Sequence, residues 1–271
     1  MARRTRHQVL ALLPALAVAV GVAGCAESVK PGTSSGGVAL VKEGVLTACT
    51  HLPYKPFQYD EGGSTVGFDV DLMDLVAKEL GVRQEIVDTP FEGIQTGTDL
   101  NTGKCDVGAA AITINETRKK VVDFSDPYFD AQQALLVRKG SGIRSLDDLR
   151  GRKVGVQLAT TGEEYANRNK DAKGFQVVQF EDLALMETAV QTGQVDAGIN
   201  DNGVLYDYVK ANPDKVEVTA EFETGDQYGV VVKKGNDALR EKVNEVLRKA
   251  RESGEYDRIY EKWFGKRPSK K

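Results

Sequence analysis

The sequence predicts an α/β protein built from two similar lobes, and three features carry that prediction. Strand and helix patterns alternate along the 271 residues. The alternation begins afresh near Ser145. The two halves also carry matching segments, GKCDVGA from Gly103 and GQVDAGI from Gly193. Alternating elements of this kind favour a mostly parallel sheet with helices on its faces. A chain this long can bury two separate cores.

Each element has its own signal. Val45–Thr50 (VLTACT) reads as a short strand. Residues 67–81 (GFDVDLMDLVAKELG) place Phe68, Leu72, Leu75, Val76 and Leu80 at helical spacing, with Gly81 as a stop. Val82–Val87 is a second strand, Phe91–Leu100 a helix and Asp106–Ile112 a third strand. In the second half, Ser145 can cap a short helix (SLDDLRG), and Lys153–Gln157 follows as a strand. A helix begins at Thr161, Phe175–Phe180 is a strand, and Leu183–Thr192 a helix. Val195–Ile199 is then a strand and Asn202–Lys210 a helix. Two runs rich in strand formers and poor in turn residues, QALLVR to Arg138 and YGVVVK to Lys233, are candidates for crossings between the lobes. The charged tail from Asp237 to Phe264 keeps apolar residues at helical spacing, and Gly254 divides it into two helices expected to pack on the first lobe.

Composition is that of a soluble globular protein, with 41% hydrophobic and 28% charged residues. A pI near 5.5 and the lack of an interior basic cluster with aromatics argue against nucleic-acid binding. The N-terminus differs from the rest. Arg3, Arg4 and Arg6 precede an apolar run from Val9 to Val22, too short for a comfortable membrane span and suited to a signal peptide. Ala23-Gly24-Cys25 resembles the bacterial lipobox, in which the cysteine is lipidated and becomes the first residue of the mature chain. Loss of residues 1–24 takes three arginines and lowers the formal charge from −4 to −7. Residues 25–40 are then a lipidated N-terminus and a flexible linker, rich in Gly and Ser. The expected location is extracytoplasmic, lipid-anchored to the outer face of the cell membrane.

Six segments together carry a family resemblance: TACTHLPYKPFQY, GFDVDLMDLVAKELG, AITINETRKKVVDFSDPY, LDDLRGRKVGVQLATTGEEY, GQVDAGINDN and QYGVVVK. In this order they resemble the family 3 solute-binding proteins of ABC importers, binders of polar amino acids, from about Gly44 to Phe264. The resemblance implies a type II periplasmic-binding-protein-like fold, with lobe 1 over 41–133 and 233–271 and lobe 2 over 139–227. Hinge strands at 134–138 and 228–232 join them, and the ligand is enclosed between the lobes. It implies a monomeric receptor that closes on a free amino acid and delivers it to an ABC permease and its ATPase, touching the membrane only through its anchor. No cofactor and no metal is implied.

The same resemblance assigns the site residues, and physical chemistry supports the assignment. A free amino acid is a zwitterion, and enclosing it strips water from both charges, so each needs a partner. Arg118, closing the T-x-x-x-x-R segment from Thr113, suits the α-carboxylate because a guanidinium grips it bidentately. Asp201 suits the ammonium. Ala110 and Ala111 stand where many relatives carry Ser, so only their backbone contacts carry over, whereas Thr113 keeps its hydroxyl. Thr160 and Thr161 precede a helix whose N-terminus offers free N–H groups, and both also suit simple capping. Tyr54 and Phe91 match the family's aromatic walls. His51 and Gln157 are placed to read the ligand side chain. His51 stands where several basic-amino-acid binders carry aspartate, which argues against a purely basic ligand.

If the first and third strands are parallel neighbours, Cys49 falls level with about Ala109. Cys105 then lies some four residues away, roughly 13 Å, beyond the ~7 Å reach of a disulfide. Two free thiols are therefore expected. Competing functions are a sensor receptor on the same scaffold and a dehydratase-like enzyme. His7 leaves with the signal, so His51 alone remains, and no metal cluster, nucleotide motif or G-x-S-x-G appears. Cys49 and His51 share a strand face but lack a third orienting group. The expectation is a binding protein and not an enzyme.

Overall fold

The computed structural model describes residues 32–33 and 37–268. The signal segment, Cys25 and most of the linker lie outside the described residues. Two five-stranded sheets organise the rest. The first runs in the order Arg83–Asp88, Val45–Thr50, Val107–Gly108, Val231–Lys233, Val122–Phe124. The second runs Gln176–Phe180, Lys153–Gln157, Ala197–Asp201, Phe129–Arg138, Val216–Tyr228. In both, the first three strands are parallel and the fourth opposes the third. The matching GKCDVGA and GQVDAGI segments supply the third strand in each sheet. Val45–Thr50 is buried at every position, as a central parallel strand covered on both faces must be.

Helix Phe68–Leu80 forms where the apolar spacing predicts it and ends at Gly81, which adopts φ 70°. Gly67 before it has φ 146°, and a Cβ there would meet Phe57 O at 2.0 Å, so the tight approach requires glycine. The predicted Phe91–Leu100 helix is two short ones, Phe91–Gln95 and Thr98–Asn101, parted by Gly97 at φ 74°. The tail helices Asp237–Glu252 and Glu255–Phe264 pack on Phe68–Leu80. Trp263 Nε1 and Lys262 Nζ both donate to Asp71 at 2.7 Å, and Lys249 pairs with Glu79 at 2.7 Å.

Residues 134–138, expected to cross between lobes, lie inside the second sheet, paired with Ala197–Asp201 on one side and Val216–Tyr228 on the other. QALLVR lacks turn residues because it is buried in mid-sheet. The passage between the sheets lies near Ser125–Tyr128 and Gly229–Val230, where Ser125 N donates to Val230 O and Tyr128 N to Tyr228 O, each at 2.8 Å. An aromatic cluster fastens this junction. The Phe57 ring centroid is 5.0 Å from Phe129, 5.3 Å from Tyr228 and 5.5 Å from Phe264, mostly in edge-on or tilted arrangements.

The cysteines correct the sequence-based expectation. Cys49 and Cys105 form a disulfide with Cα atoms 5.7 Å apart. The expectation assumed an extended third strand from Asp106, in register with Ala109. The actual strand is only Val107–Gly108, and Cys49 pairs with Gly108. Bends at Lys104 and Asp106 fold the chain back before the strand begins. There Asp106 N donates to Thr47 O at 2.9 Å, and Thr47 N donates to Asp106 Oδ2 at 2.8 Å.

Candidate functional site

The third strand of the first sheet stops early because its exit is bent. Ala111 adopts φ 48°, in the left-handed region, and its N–H donates to Asp69 Oδ2 at 2.7 Å. Tyr128 Oη donates to the same oxygen at 2.9 Å. Asp69 occupies the first turn of helix Phe68–Leu80 and is fully buried. Burial pushes its carboxyl up to about 7, against the hydrogen bonds from Ala111 and Tyr128. The left-handed turn redirects residues 110–113 and costs a non-glycine residue about 1–2 kcal/mol. The second lobe has a parallel: Ala159 adopts φ 65°, and its N–H donates to Glu163 Oε2 at 2.7 Å.

Both turns border one small, nearly closed cavity between the lobes. Arg118, Asp201, Thr113, Ala110, Ala111, Tyr54, Phe91, Thr160, Thr161, Gln157 and His51 all line it, so the structure brings together every site residue read from the sequence. Gln58 completes the wall and was not foreseen. A polar residue inside the apolar PYKPFQY segment was the available signal. The parallel strands present their carboxyl ends to the cavity, where open α/β sheets hold ligands.

Arg118 is 2% exposed. Its guanidinium donates to Thr113 O at 2.9 Å, Gln95 Oε1 at 3.2 Å and, across the cavity, Ala159 O at 3.2 Å. Phe91 lies under it, 5.2 Å from ring centroid to Cζ. Burial lowers the Arg118 pKa, partly offset by Glu164 and Asp201. Asp201 is 4% exposed. Tyr228 Oη donates to its Oδ2 at 2.5 Å, Tyr54 Oη lies 3.0 Å from the same oxygen, and Gln133 Nε2 donates to Oδ1. Burial raises the Asp201 pKa; the Tyr228 hydrogen bond opposes this and the nearby Asp226 adds to it. Among the described residues Arg118 and Asp201 form no salt bridge, with each other or with any other group.

Smaller contacts close the site. Thr160 caps helix Thr161–Lys173, accepting from Glu163 N at 3.2 Å, and its hydroxyl donates to Gln157 O at 2.7 Å. The hydroxyls of Thr113 and Thr161 stand 3.3 Å apart across the lobes. Tyr54 Oη is 2.7 Å from Asn200 Oδ1, and Asn200 Nδ2 donates to Gln157 Oε1 at 3.3 Å. Among the described residues no group of His, Cys, Asp and Glu could hold a metal ion.

Two sheets of one design, joined by two passages and enclosing a charged cavity, define a two-lobe ligand-binding protein. The chain belongs to the bacterial extracellular solute-binding proteins, family 3, whose model matches residues 46–266. That family places it outside the cytoplasm. It is 37% identical over 226 residues to a probable histidine-binding protein of Neisseria gonorrhoeae, covering 82% of this chain and 84% of that one. It is 38% identical over 212 residues to the ABC transporter glutamine-binding protein GlnH of Bacillus subtilis, covering 76% of each. A solved ancestral arginine-binding protein bound to arginine superposes with a TM-score of 0.78 at 45% identity, covering 82% of this chain and 99% of that one. The fold is therefore the type II periplasmic-binding arrangement.

Proposed function

We propose that this protein captures a free amino acid outside the cytoplasmic membrane and delivers it to an ABC transporter permease. One observation carries the reading. Arg118 and Asp201 are buried, oppositely charged and borne on different lobes, they line one cavity, and they do not pair with each other. Two buried charges left this way are costly unless a molecule with complementary charges fills the space. A zwitterionic amino acid does so, its carboxylate on Arg118 and its ammonium on Asp201. Thr113, Thr161 and backbone groups of Ala110 and Ala111 complete the polar shell, and Tyr54 and Phe91 form its walls. The relatives named above are binding proteins, not enzymes, and this chain has the same role.

In this reading lobe 1 comprises residues 41–124 and 231–268, around the first sheet, and lobe 2 residues 129–228, around the second; the bounds read from the sequence cut through strand Phe129–Arg138. Their closing motion turns on the two passages near Ser125–Tyr128 and Gly229–Val230. The protein works as a monomer whose closed form docks on a permease served by an ATPase. Cys25 carries the lipid that holds it at the membrane, a reading supported by the Ala23-Gly24-Cys25 pattern.

A thermal-shift screen with the twenty amino acids tests the reading. A ligand at a hundred times its dissociation constant adds about 2.7 kcal/mol of stability, a clear rise in melting temperature. Arg118→Ala is expected to remove most of the rise. No response from any amino acid overturns the proposal.

A further inference from the structure

The charged ends of the cavity are accounted for, but its remaining polar atoms are not. His51 and Gln58 both line it. His51 Nδ1 lies 3.0 Å from Thr89 O. A carbonyl only accepts, so the Nδ1 proton points there, and in the neutral ring Nε2 bears the lone pair. Gln58 Nε2 donates to His51 O at 3.3 Å, which fixes the amide with Oε1 as the remaining acceptor. Both His51 Nε2 and Gln58 Oε1 are buried without a hydrogen-bond partner. Gln157 spends its Oε1 on Asn200 Nδ2, leaving its own N–H₂ group. The lining holds one carboxylate, Asp201, and one permanent cation, Arg118.

Buried acceptors without donors cost free energy until a donor meets them. A ligand carboxylate would set acceptors against acceptors. A ligand ammonium or guanidinium would bury a second positive charge with no carboxylate left to balance it. We infer that the bound amino acid has a neutral side chain that donates N–H bonds, a carboxamide or an imidazole, which His51 Nε2 and Gln58 Oε1 receive. A carboxamide fits most fully, because its oxygen can accept from Gln157 Nε2 while its nitrogen donates to lobe 1.

This inference rests on the amino-acid reading above, and one experiment separates the two. Isothermal titration of the purified full chain with each of the twenty amino acids ranks their affinities at one pH. Glutamine, asparagine or histidine is expected to bind tightest, with glutamine about tenfold or more ahead of its isostere glutamate. Any other amino acid in first place overturns the inference and leaves the amino-acid reading intact. Binding by none of them overturns that reading, and this inference with it. A second titration uses Gln58→Met, which keeps the shape and removes the acceptor. It is expected to weaken the best ligand by about tenfold or more, with the unliganded melting temperature near that of the parent. Unchanged affinity in that variant overturns the inference, and if it does not fold, the ranking on the parent protein still decides.

Discussion

The two lobes solve one problem in different ways. Each turns a strand exit into the cavity through a left-handed alanine, and each ties that alanine's N–H to a carboxylate. In the first lobe the carboxylate is Asp69, fully buried, shared with Tyr128 and supplied by a helix far away in sequence. In the second it is Glu163, only four residues from Ala159 and also bonded to the exposed Gln179. The first lobe is further closed by the Cys49–Cys105 bridge beneath the same strands. Lobe 1 thus presets its half of the site from its interior, and lobe 2 holds its half by local contacts near the surface. The preset half carries Arg118, the proposed partner of the carboxylate common to all amino acids.

This contrast can be broken by experiment. The largest effect is expected from Cys49→Ala with Cys105→Ala. Loss of a bridge across 56 residues should cost about 2–4 kcal/mol in urea unfolding. A loss below about 1 kcal/mol would show that lobe 1 does not depend on its covalent tie. Next is Asp69→Ala, which leaves the buried Ala111 N–H and Tyr128 hydroxyl without their acceptor and should cost about 1–3 kcal/mol. Glu163→Ala, at a partly exposed site, should cost roughly 0.5–1 kcal/mol. Equal losses from Asp69→Ala and Glu163→Ala would erase the distinction between the lobes.

A pH series sharpens it further, because burial raises one carboxyl in lobe 1, Asp69, and two in lobe 2, Glu187 and Asp201. Burial lifts Asp69 from 3.8 to about 7 in lobe 1. In lobe 2 it lifts Glu187 from 4.5 to about 9, helped by Asp207 and Asp182. A raised carboxyl binds more protons folded than unfolded, so stability falls as pH rises from the unfolded to the folded pKa. The Asp69 loss is complete near pH 7, and the Glu187 loss continues to about pH 9. Unfolding between pH 7 and 9 should therefore show a decline that Glu187→Gln reduces and Asp69→Asn retains. The smallest effect is expected from Ala111→Gly, where relief of the left-handed turn and the added chain entropy nearly cancel, to within about 1 kcal/mol.

What the sequence disclosed follows the range of the interactions. Helix Phe68–Leu80 and strand Lys153–Gln157 were legible because apolar spacing and flanking glycines are local signals. That Arg118, Asp201 and Tyr54 would line one cavity was legible because the family resemblance gives their positions. The left-handed turn at Ala111 was hidden, since nothing near Ala111 marks it and its cause, Asp69, looks like an ordinary acid in a first helical turn. The disulfide was hidden by a separate feature, the bends at Lys104 and Asp106 before the strand, because an extended Asp106–Ile112 would have held the cysteines apart. Gln58 went unnoticed because its place in the cavity wall depends on a contact with His51 that a loop creates.

The central claim is that Arg118 and Asp201 divide one zwitterion between the lobes. The direct measurement is titration of the best-binding amino acid beside its α-amide and its des-amino acid. Each analogue should bind roughly a hundredfold more weakly, the worth of about one charged hydrogen-bond pair. In Arg118→Ala, the amino acid and its α-amide should bind alike, because the group that tells them apart is gone. If either analogue binds the parent protein within a few-fold of the amino acid, or if Arg118→Ala still prefers the carboxylate, the cavity does not hold a zwitterion in this way.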